Sequence, residues 1–113
     1  MAEQCLFCRI ASGEIPAKIV AENPVCIAFR DVNPVAPVHV LVIPRAHVAS
    51  LNEVASPTLM GEILQMARDV AKQEGIAASG YRVVFNTNSD GGQTVFHLHA
   101  HVMGGRHMSW PPG

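Results

Sequence analysis

The chain has 113 residues, a length that suits one domain and leaves little room for a second. Hydrophobic residues make up 49% and charged residues 15%, which supplies one core and excludes a disordered chain. The formal net charge of −1 lacks the basic surplus that non-specific nucleic-acid or membrane-surface binding requires, so a phosphate ligand would need local donors.

The start of the chain carries no pattern typical of export or membrane insertion. Residues 1–5 contain neither a basic start nor an apolar stretch. The longest apolar run, 38–44, is interrupted by His39 and is too short to span a bilayer. We therefore expect a cytoplasmic protein with reduced cysteines, and the Cys5-x-x-Cys8 pair then indicates a metal before a disulfide.

The predicted elements run from strands to one helix and back to strands. Short apolar runs predict strands at 17–22, 25–30, 38–43, 81–86 and 95–103, with Asn23-Pro24 turning the first pair into a hairpin. Residues 5–12 predict a short helix or turn, and Ser56-Pro57 starts a long helix. Its apolar stripe comprises Met60, Ile63, Ala67, Val70 and Ala71. The order predicts an α+β domain over residues 1–113, with a five-stranded antiparallel sheet and the helix on one face.

The other face of that sheet has no predicted cover. Five strands and one main helix make a modest core for a chain of this length. Because pairing of two chains would bury more surface, we expect a homodimer.

Three of the six histidines lie within five residues, at His97, His99 and His101. Strand alternation puts their imidazoles on one face and the apolar residues between them on the other. Two chemistries fit this pattern: the histidines ligate Zn²⁺ together, or one imidazole is a nucleophile that its neighbours orient. Histidines satisfied by backbone carbonyls alone are a third interpretation, which three imidazoles on one face disfavour.

A loop at residues 90–94, Asp-Gly-Gly-Gln-Thr, comes immediately before this run. Glycines let backbone N–H groups approach an anion closely, and Thr94 adds a hydroxyl donor. A donor-rich loop that leads into histidines favours phosphate chemistry over a bare metal site.

Residues 97–103 resemble the His-φ-His-φ-His-φ-φ signature of the histidine-triad superfamily, where φ is an apolar residue. Segments along almost the whole chain are similar to its branch of histidine-triad nucleotide-binding proteins, namely 15–19, 28–32, 37–39, 41–44, 89–93 and 110–113. The resemblance implies the histidine-triad fold, paired into a dimer with a continuous sheet. It also implies purine nucleoside phosphoramidase activity, which hydrolyses the P–N bond of AMP or GMP linked to an amine.

The resemblance implies a role for each matching histidine. His99 would attack the α-phosphorus and form a covalent nucleotidyl-histidine intermediate. His101 would contact the phosphate and donate the proton that the leaving amine needs. His39 and His97 would orient His99 or relay protons.

The implied substrate contacts come from loops and strand ends. Asp31 would accept hydrogen bonds from both ribose hydroxyls, and turn capping is its alternative role. The other implied contacts are Val32 at the base or ribose, and Asn86, Gly92, Gln93 and Thr94 on the phosphate side. Phe7, Ile10 and Ile15 would sandwich the purine, although core packing explains them equally well. In the tail, Trp110 would reach toward the partner subunit's active site, and His107 is expected in solvent or at an interface.

Some members of the superfamily hold a structural Zn²⁺ through a similar C-x-x-C pair and two histidines. By that resemblance the ligands here would be Cys5, Cys8, His47 and His97, in a closed tetrahedral site. Metal-free packed cysteines are an equal alternative. The resemblance implies no cofactor for the chemistry itself, and a zinc-bound His97 could not also relay protons freely.

Two other functions fit the sequence. One is a nucleotide-binding scaffold or regulatory protein whose hydrolysis is incidental. The other is a dinucleoside-polyphosphate hydrolase from another branch of the superfamily, which the short Trp-Pro-Pro-Gly tail at 110–113 disfavours. A catalytic metallohydrolase is the least favoured interpretation.

Overall fold

The computed structural model describes residues 4–113. Residues 1–3 lie outside the described part, although the predicted domain and the segment in which we expect no export signal both include them. In chain order the elements are α1 (Leu6–Ala11), β1 (Ile19–Glu22), β2 (Cys26–Arg30), β3 (Val38–Pro44), a 3₁₀ turn (Leu51–Glu53), α2 (Pro57–Gln73), β4 (Tyr81–Val84), α3 (Asn88–Gly91) and β5 (Ala100–Gly104). The predicted α+β class is confirmed.

The five strands form one antiparallel sheet in the order β1-β2-β3-β5-β4. The predicted hairpin of β1 and β2 is confirmed. Asn23 closes its turn, because its side-chain oxygen accepts hydrogen bonds from the N–H groups of Val25 and Cys26 at 2.9 and 2.7 Å. The strand β4, which is shorter than predicted, lies at one edge of the sheet.

Each face of the sheet has its own apolar core. One core, which includes Ala28, Val40, Val42 and Ala100, packs under α2. On the other face, Phe7 and Ile10 of α1 cover four strand residues, Ile27, Phe29, Leu41 and Ile43. The second face is therefore covered within the chain, and the expected homodimer no longer rests on an uncovered sheet.

The long helix α2 begins as predicted. The Ser56 hydroxyl accepts a hydrogen bond from the Leu59 N–H at 3.2 Å, and Pro57 occupies the first turn. Its buried stripe comprises Ile63, Met66, Ala67, Val70 and Ala71. The prediction of Met60 in this stripe is wrong, because this residue lies in the first turn at the edge of the stripe and is 37% exposed. No helix within residues 4–113 has the length and apolar content that crossing a bilayer needs.

The last strand is shorter than the predicted 95–103. It begins at Ala100, which pairs with Val42 of β3. The ladder stops there because the next position on β3 that faces β5 belongs to Pro44, which has no N–H, and the Pro44 carbonyl accepts from His97. Leu98 instead donates its N–H to the carbonyl of Val48 outside the sheet.

The predicted loop at 90–94 begins inside a helical turn. Residues 88–91 form the single turn of α3, and Gly92 ends it with a φ of +80°, a conformation that favours glycine.

Candidate active site

A cavity of about 1020 Å³, in the size range of small-molecule sites, opens on the sheet face that α1 covers. Eight residues predicted to bind substrate or act on it line this cavity: Phe7, Ile10, Ile15, Asp31, Val32, Thr94, His99 and His101. Among residues 4–113, other predicted residues lie outside its lining: His39, Asn86, Gly92, Gln93, His97 and Trp110.

His99 is positioned by a backbone carbonyl. Its Nδ1 lies 2.7 Å from the carbonyl oxygen of His97. Because a carbonyl only accepts, Nδ1 carries the proton, and the neutral ring keeps its lone pair on Nε2. Phe7 packs edge-on against this ring, with centroids 5.1 Å apart. His99 is 7% exposed and lines the cavity, so the lone pair on its Nε2 lies in a shielded site.

His101 and His39 form a hydrogen-bonded pair on neighbouring strands. The N–H of Val35 donates to His39 Nδ1 at 3.1 Å, so neutral His39 carries its proton on Nε2. This Nε2 lies 2.9 Å from His101 Nδ1, which is therefore the acceptor. Neutral His101 then carries its proton on Nε2.

Asp31 stands beside this pair at the cavity. One carboxylate oxygen accepts from the Asn33 N–H at 2.8 Å, which is the predicted turn-capping contact. The other lies 3.4 Å from His39 Nε2. The Asp31 side chain therefore caps the turn and also lines the cavity.

Burial keeps these imidazoles neutral. It lowers the pKa of His39 and of His99, and in both cases the nearby Asp31 opposes the shift. Burial is also the main cause that lowers the pKa of His101 to about 4, with His99 and His39 adding to the effect. A neutral imidazole at pH 7 is the form that a nucleophile requires.

A second cluster of side chains lies at the N-terminal part of α1. The ligand atoms of Cys5, Cys8, His47 and His97 all lie within 4.8 Å of one another, and we call these residues the metal cluster. Nδ1 of His97 is 3.4 Å from each sulfur, and Nδ1 of His47 is 3.2 Å from Cys8 Sγ. A tetrahedral zinc site spaces its sulfur and nitrogen donors by about 3.5 Å, so the donor set and its spacing fit Zn²⁺.

The His97 ring is oriented for that cluster. Its Nε2 donates to the Pro44 carbonyl at 2.8 Å, which leaves the Nδ1 lone pair facing both sulfurs. The side chain is fully buried, and both of its ring nitrogens are engaged outside the cavity. The His97 side chain therefore lies with the cysteines, while the backbone carbonyl of the same residue accepts from His99 Nδ1.

The loop before the histidine run divides into two parts. Thr94 lines the cavity. The buried Gln93 side chain instead donates to the carbonyls of Ala49 and Val95 and accepts from the Asn88 N–H, so it holds the loop in shape. In the tail, Trp110 is 82% exposed.

Several groups at the site had no predicted role. Lys18, Arg30 and Leu41 line the cavity. Strand alternation could have identified Leu41, which shares a face with His39 on β3. The Val35 N–H and the Pro44 carbonyl leave no trace in a sequence, because every residue but proline carries both groups.

Comparisons with known proteins identify the family of this chain. The HIT domain family model matches residues 12–108. An uncharacterized HIT-like protein of Synechococcus elongatus is 50% identical over 115 residues, which cover all of both chains. The purine nucleoside phosphoramidase of Escherichia coli K12 is 44% identical over 108 residues, covering 94% of this chain and 91% of that protein. The crystal structure of a HIT family hydrolase from Legionella pneumophila superposes with a TM-score of 0.94 at 52% identity, covering 96% of this chain and 99% of that one.

Proposed function

The chain belongs to the HIT family, and from that premise we propose that this hydrolase is a purine nucleoside phosphoramidase. The observation that carries the proposal is the state of His99. Its Nδ1–H is held by the His97 carbonyl, its Nε2 is unprotonated, and the residue lines a cavity of about 1020 Å³. The activity of the Escherichia coli relative supports the choice of substrate.

The substrate that we propose is AMP or GMP linked through its phosphorus to an amine. Phe7, Ile10 and Ile15 would hold the base, with Val32 at the rim. The Asp31 carboxylate would accept the ribose hydroxyls. On the phosphate side we propose the Thr94 hydroxyl and the loop that Asn86, Gly92 and Gln93 shape.

In the first step, His99 Nε2 attacks the α-phosphorus, and the P–N bond breaks with its electron pair on the amine nitrogen. That nitrogen gains a proton from His101 Nε2. The anionic phosphate of the bound substrate, together with Asp31, favours the imidazolium form from which this proton comes. His39 holds His101 through the hydrogen bond between their rings.

In the second step, water attacks the phosphorus of the nucleotidyl-histidine. The bond between phosphorus and His99 Nε2 breaks, and AMP or GMP leaves. One proton of the water returns to His101, which restores the proton given to the amine. The His97 carbonyl stabilises the positive charge on the His99 ring through Nδ1–H in both steps.

For the metal cluster we propose a structural Zn²⁺ on Cys5, Cys8, His47 and His97. The ion would supply a cross-link between α1, the segment after β3 and the segment before β5. Thiolate ligands need a reducing compartment, which supports a cytoplasmic location.

We also propose a homodimer with a continuous sheet. The strand β4 is an edge strand, and such a strand offers unpaired backbone groups to a second copy. In that assembly the exposed Trp110 would reach the partner's cavity.

Replacing the nucleophile tests the function. His99→Asn should lower turnover of an AMP-linked alkyl amine by about three orders of magnitude or more, because no other side chain takes over the attack. AMP affinity, measured by calorimetry, should stay within about threefold, since binding does not need Nε2. His107→Asn, in the exposed tail, is the matched control.

Sustained turnover by His99→Asn would contradict the proposal. A wild-type protein that binds AMP tightly but does not turn over AMP-linked amines would instead support the scaffold function.

A further inference from the structure

We propose that the metal cluster positions the nucleophile. A bound zinc ion would hold His97 and α1 in place. It would thereby fix the two groups that contact the His99 ring, namely the His97 carbonyl and the Phe7 ring. This inference deepens the proposed function and rests on its assignment of His99. It makes His97 and Phe7 residues that position His99, and it adds this effect to the stabilising cross-link that we propose for the zinc ion.

The first connection runs through a single residue. The side chain of His97 contacts the sulfurs of Cys5 and Cys8, while its carbonyl oxygen accepts the His99 Nδ1–H. Residues 95–99 lie outside the strand ladder, so the sheet does not fix this carbonyl. The Leu98 N–H bond to Val48 and the His97 side chain hold the segment in place. A displacement of the His97 ring would therefore also move the His97 carbonyl, which keeps the proton of His99 on Nδ1.

The second connection runs through α1. A six-residue helix is not stable by itself in water, so α1 depends on what anchors it. Two of its anchors are Cys5, whose sulfur caps the helix, and Cys8. Between them lies Phe7, whose ring contacts His97 and His99 edge-on, with centroids 6.0 and 5.1 Å apart. A metal ion held by Cys5 and Cys8 would thus keep the Phe7 ring against the His99 ring.

A purely structural zinc ion would behave differently. Its loss would lower the free energy of unfolding and leave the His99 ring unchanged in the molecules that remain folded. Under the proposal, the folded zinc-free protein has a loosened His97 carbonyl, and the proton of His99 is no longer confined to Nδ1.

The experiment uses full-length protein labelled with ¹⁵N at histidine. In the zinc-loaded wild type, NMR should show His99 in one tautomer with Nδ1–H. In folded, zinc-free Cys8→Ser, its two nitrogen resonances should move toward averaged values, and kcat for an AMP-linked amine should fall about tenfold. The control is Cys26→Ala, which removes the cysteine in the core under α2 and should keep zinc, tautomer and kcat.

Folded Cys8→Ser that keeps the wild-type His99 resonances and a kcat within twofold would overturn the proposal, as would wild-type protein that takes up no zinc. If Cys8→Ser does not fold, Cd²⁺ in place of Zn²⁺ retains the ligands with longer bonds to sulfur. The His99 Nδ1–H resonance should then shift, and an unchanged resonance would overturn the proposal. Because the NMR readout needs no turnover, an inactive protein that shows the coupling would contradict only the proposed function.

Discussion

His97 and His99 are two residues apart in the segment that precedes β5, and their rings bind through opposite nitrogens. His97 donates from Nε2 to the Pro44 carbonyl and turns Nδ1 toward two thiols. His99 donates from Nδ1 to the His97 carbonyl and keeps Nε2 at the cavity. The residue type is the same, and the backbone carbonyl that each ring meets decides which nitrogen is free.

The two regions also differ in how their rings are held. Both nitrogens of the buried His97 ring have partners, because Nδ1 faces the two sulfurs and Nε2 donates to the Pro44 carbonyl. At the cavity one nitrogen of His99 is held and the other is left for a ligand. Loss of the His97 side chain is therefore expected to cost more stability than loss of the His99 side chain, whereas the attacking nitrogen belongs to His99 at the cavity.

The largest expected effect is the difference in the free energy of unfolding between His97→Asn and His99→Asn. In zinc-loaded protein, His97→Asn should lower the free energy of unfolding by about 3 kcal/mol or more, because it removes a buried hydrogen bond and a metal ligand. His99→Asn should cost less than about 1 kcal/mol, since the asparagine amide can still donate to the His97 carbonyl. Urea unfolding measures both values, and equal losses would remove the distinction between the two regions.

A smaller effect is expected at Phe7, which contacts both rings. Phe7→Leu should lower the free energy of unfolding by about 1–2 kcal/mol and weaken AMP binding, because it removes edge contacts and part of the cavity wall. Phe96→Leu is the control, since Phe96 is 51% exposed and lies outside the lining of the cavity that His99 lines. If the two variants behave alike in calorimetry with AMP, Phe7 is not a wall of the nucleotide site.

A further expected effect concerns pH. The folded state lowers the pKa of His101 from 6.5 to about 4, so between these values the unfolded chain binds more protons than the folded one. Stability should therefore fall as pH drops through this window, by about 2 kcal/mol from this residue at pH 5. The groups that act on its charge are His99, His39 and Asp31.

His101→Asn should flatten the pH dependence, because asparagine keeps a hydrogen-bond acceptor for His39 and does not titrate. Thermal unfolding of both proteins at pH 7 and pH 5 measures the difference. The same loss on acidification in both proteins would show that His101 does not carry this effect.

Much of the fold follows from local patterns in the sequence. Asn23-Pro24 and Ser56-Pro57 mark a turn and a helix start by their own hydrogen bonding, and the structure has both. The start of β5 was not predictable in this way, because it depends on Pro44, which lies far away in sequence and beside it in the sheet.

The candidate site was likewise predictable only in part. Alternation along residues 97–101 predicts imidazoles on one face, and the apolar residues between them do pack under α2. Alternation does not reveal that His97 joins Cys5 and Cys8 while His99 joins the cavity. That separation comes from backbone carbonyls and from α1, which are brought together only by the fold.

The most direct test is to trap the covalent intermediate. Wild-type protein mixed with excess AMP-linked amine, quenched within one turnover and digested, should carry a nucleotidyl group on the peptide that contains residues 97–101. Fragmentation by mass spectrometry should place that group on His99, and His99→Asn should carry none. A nucleotidyl group on His97 or His101, or steady turnover with no trapped group, would contradict the account.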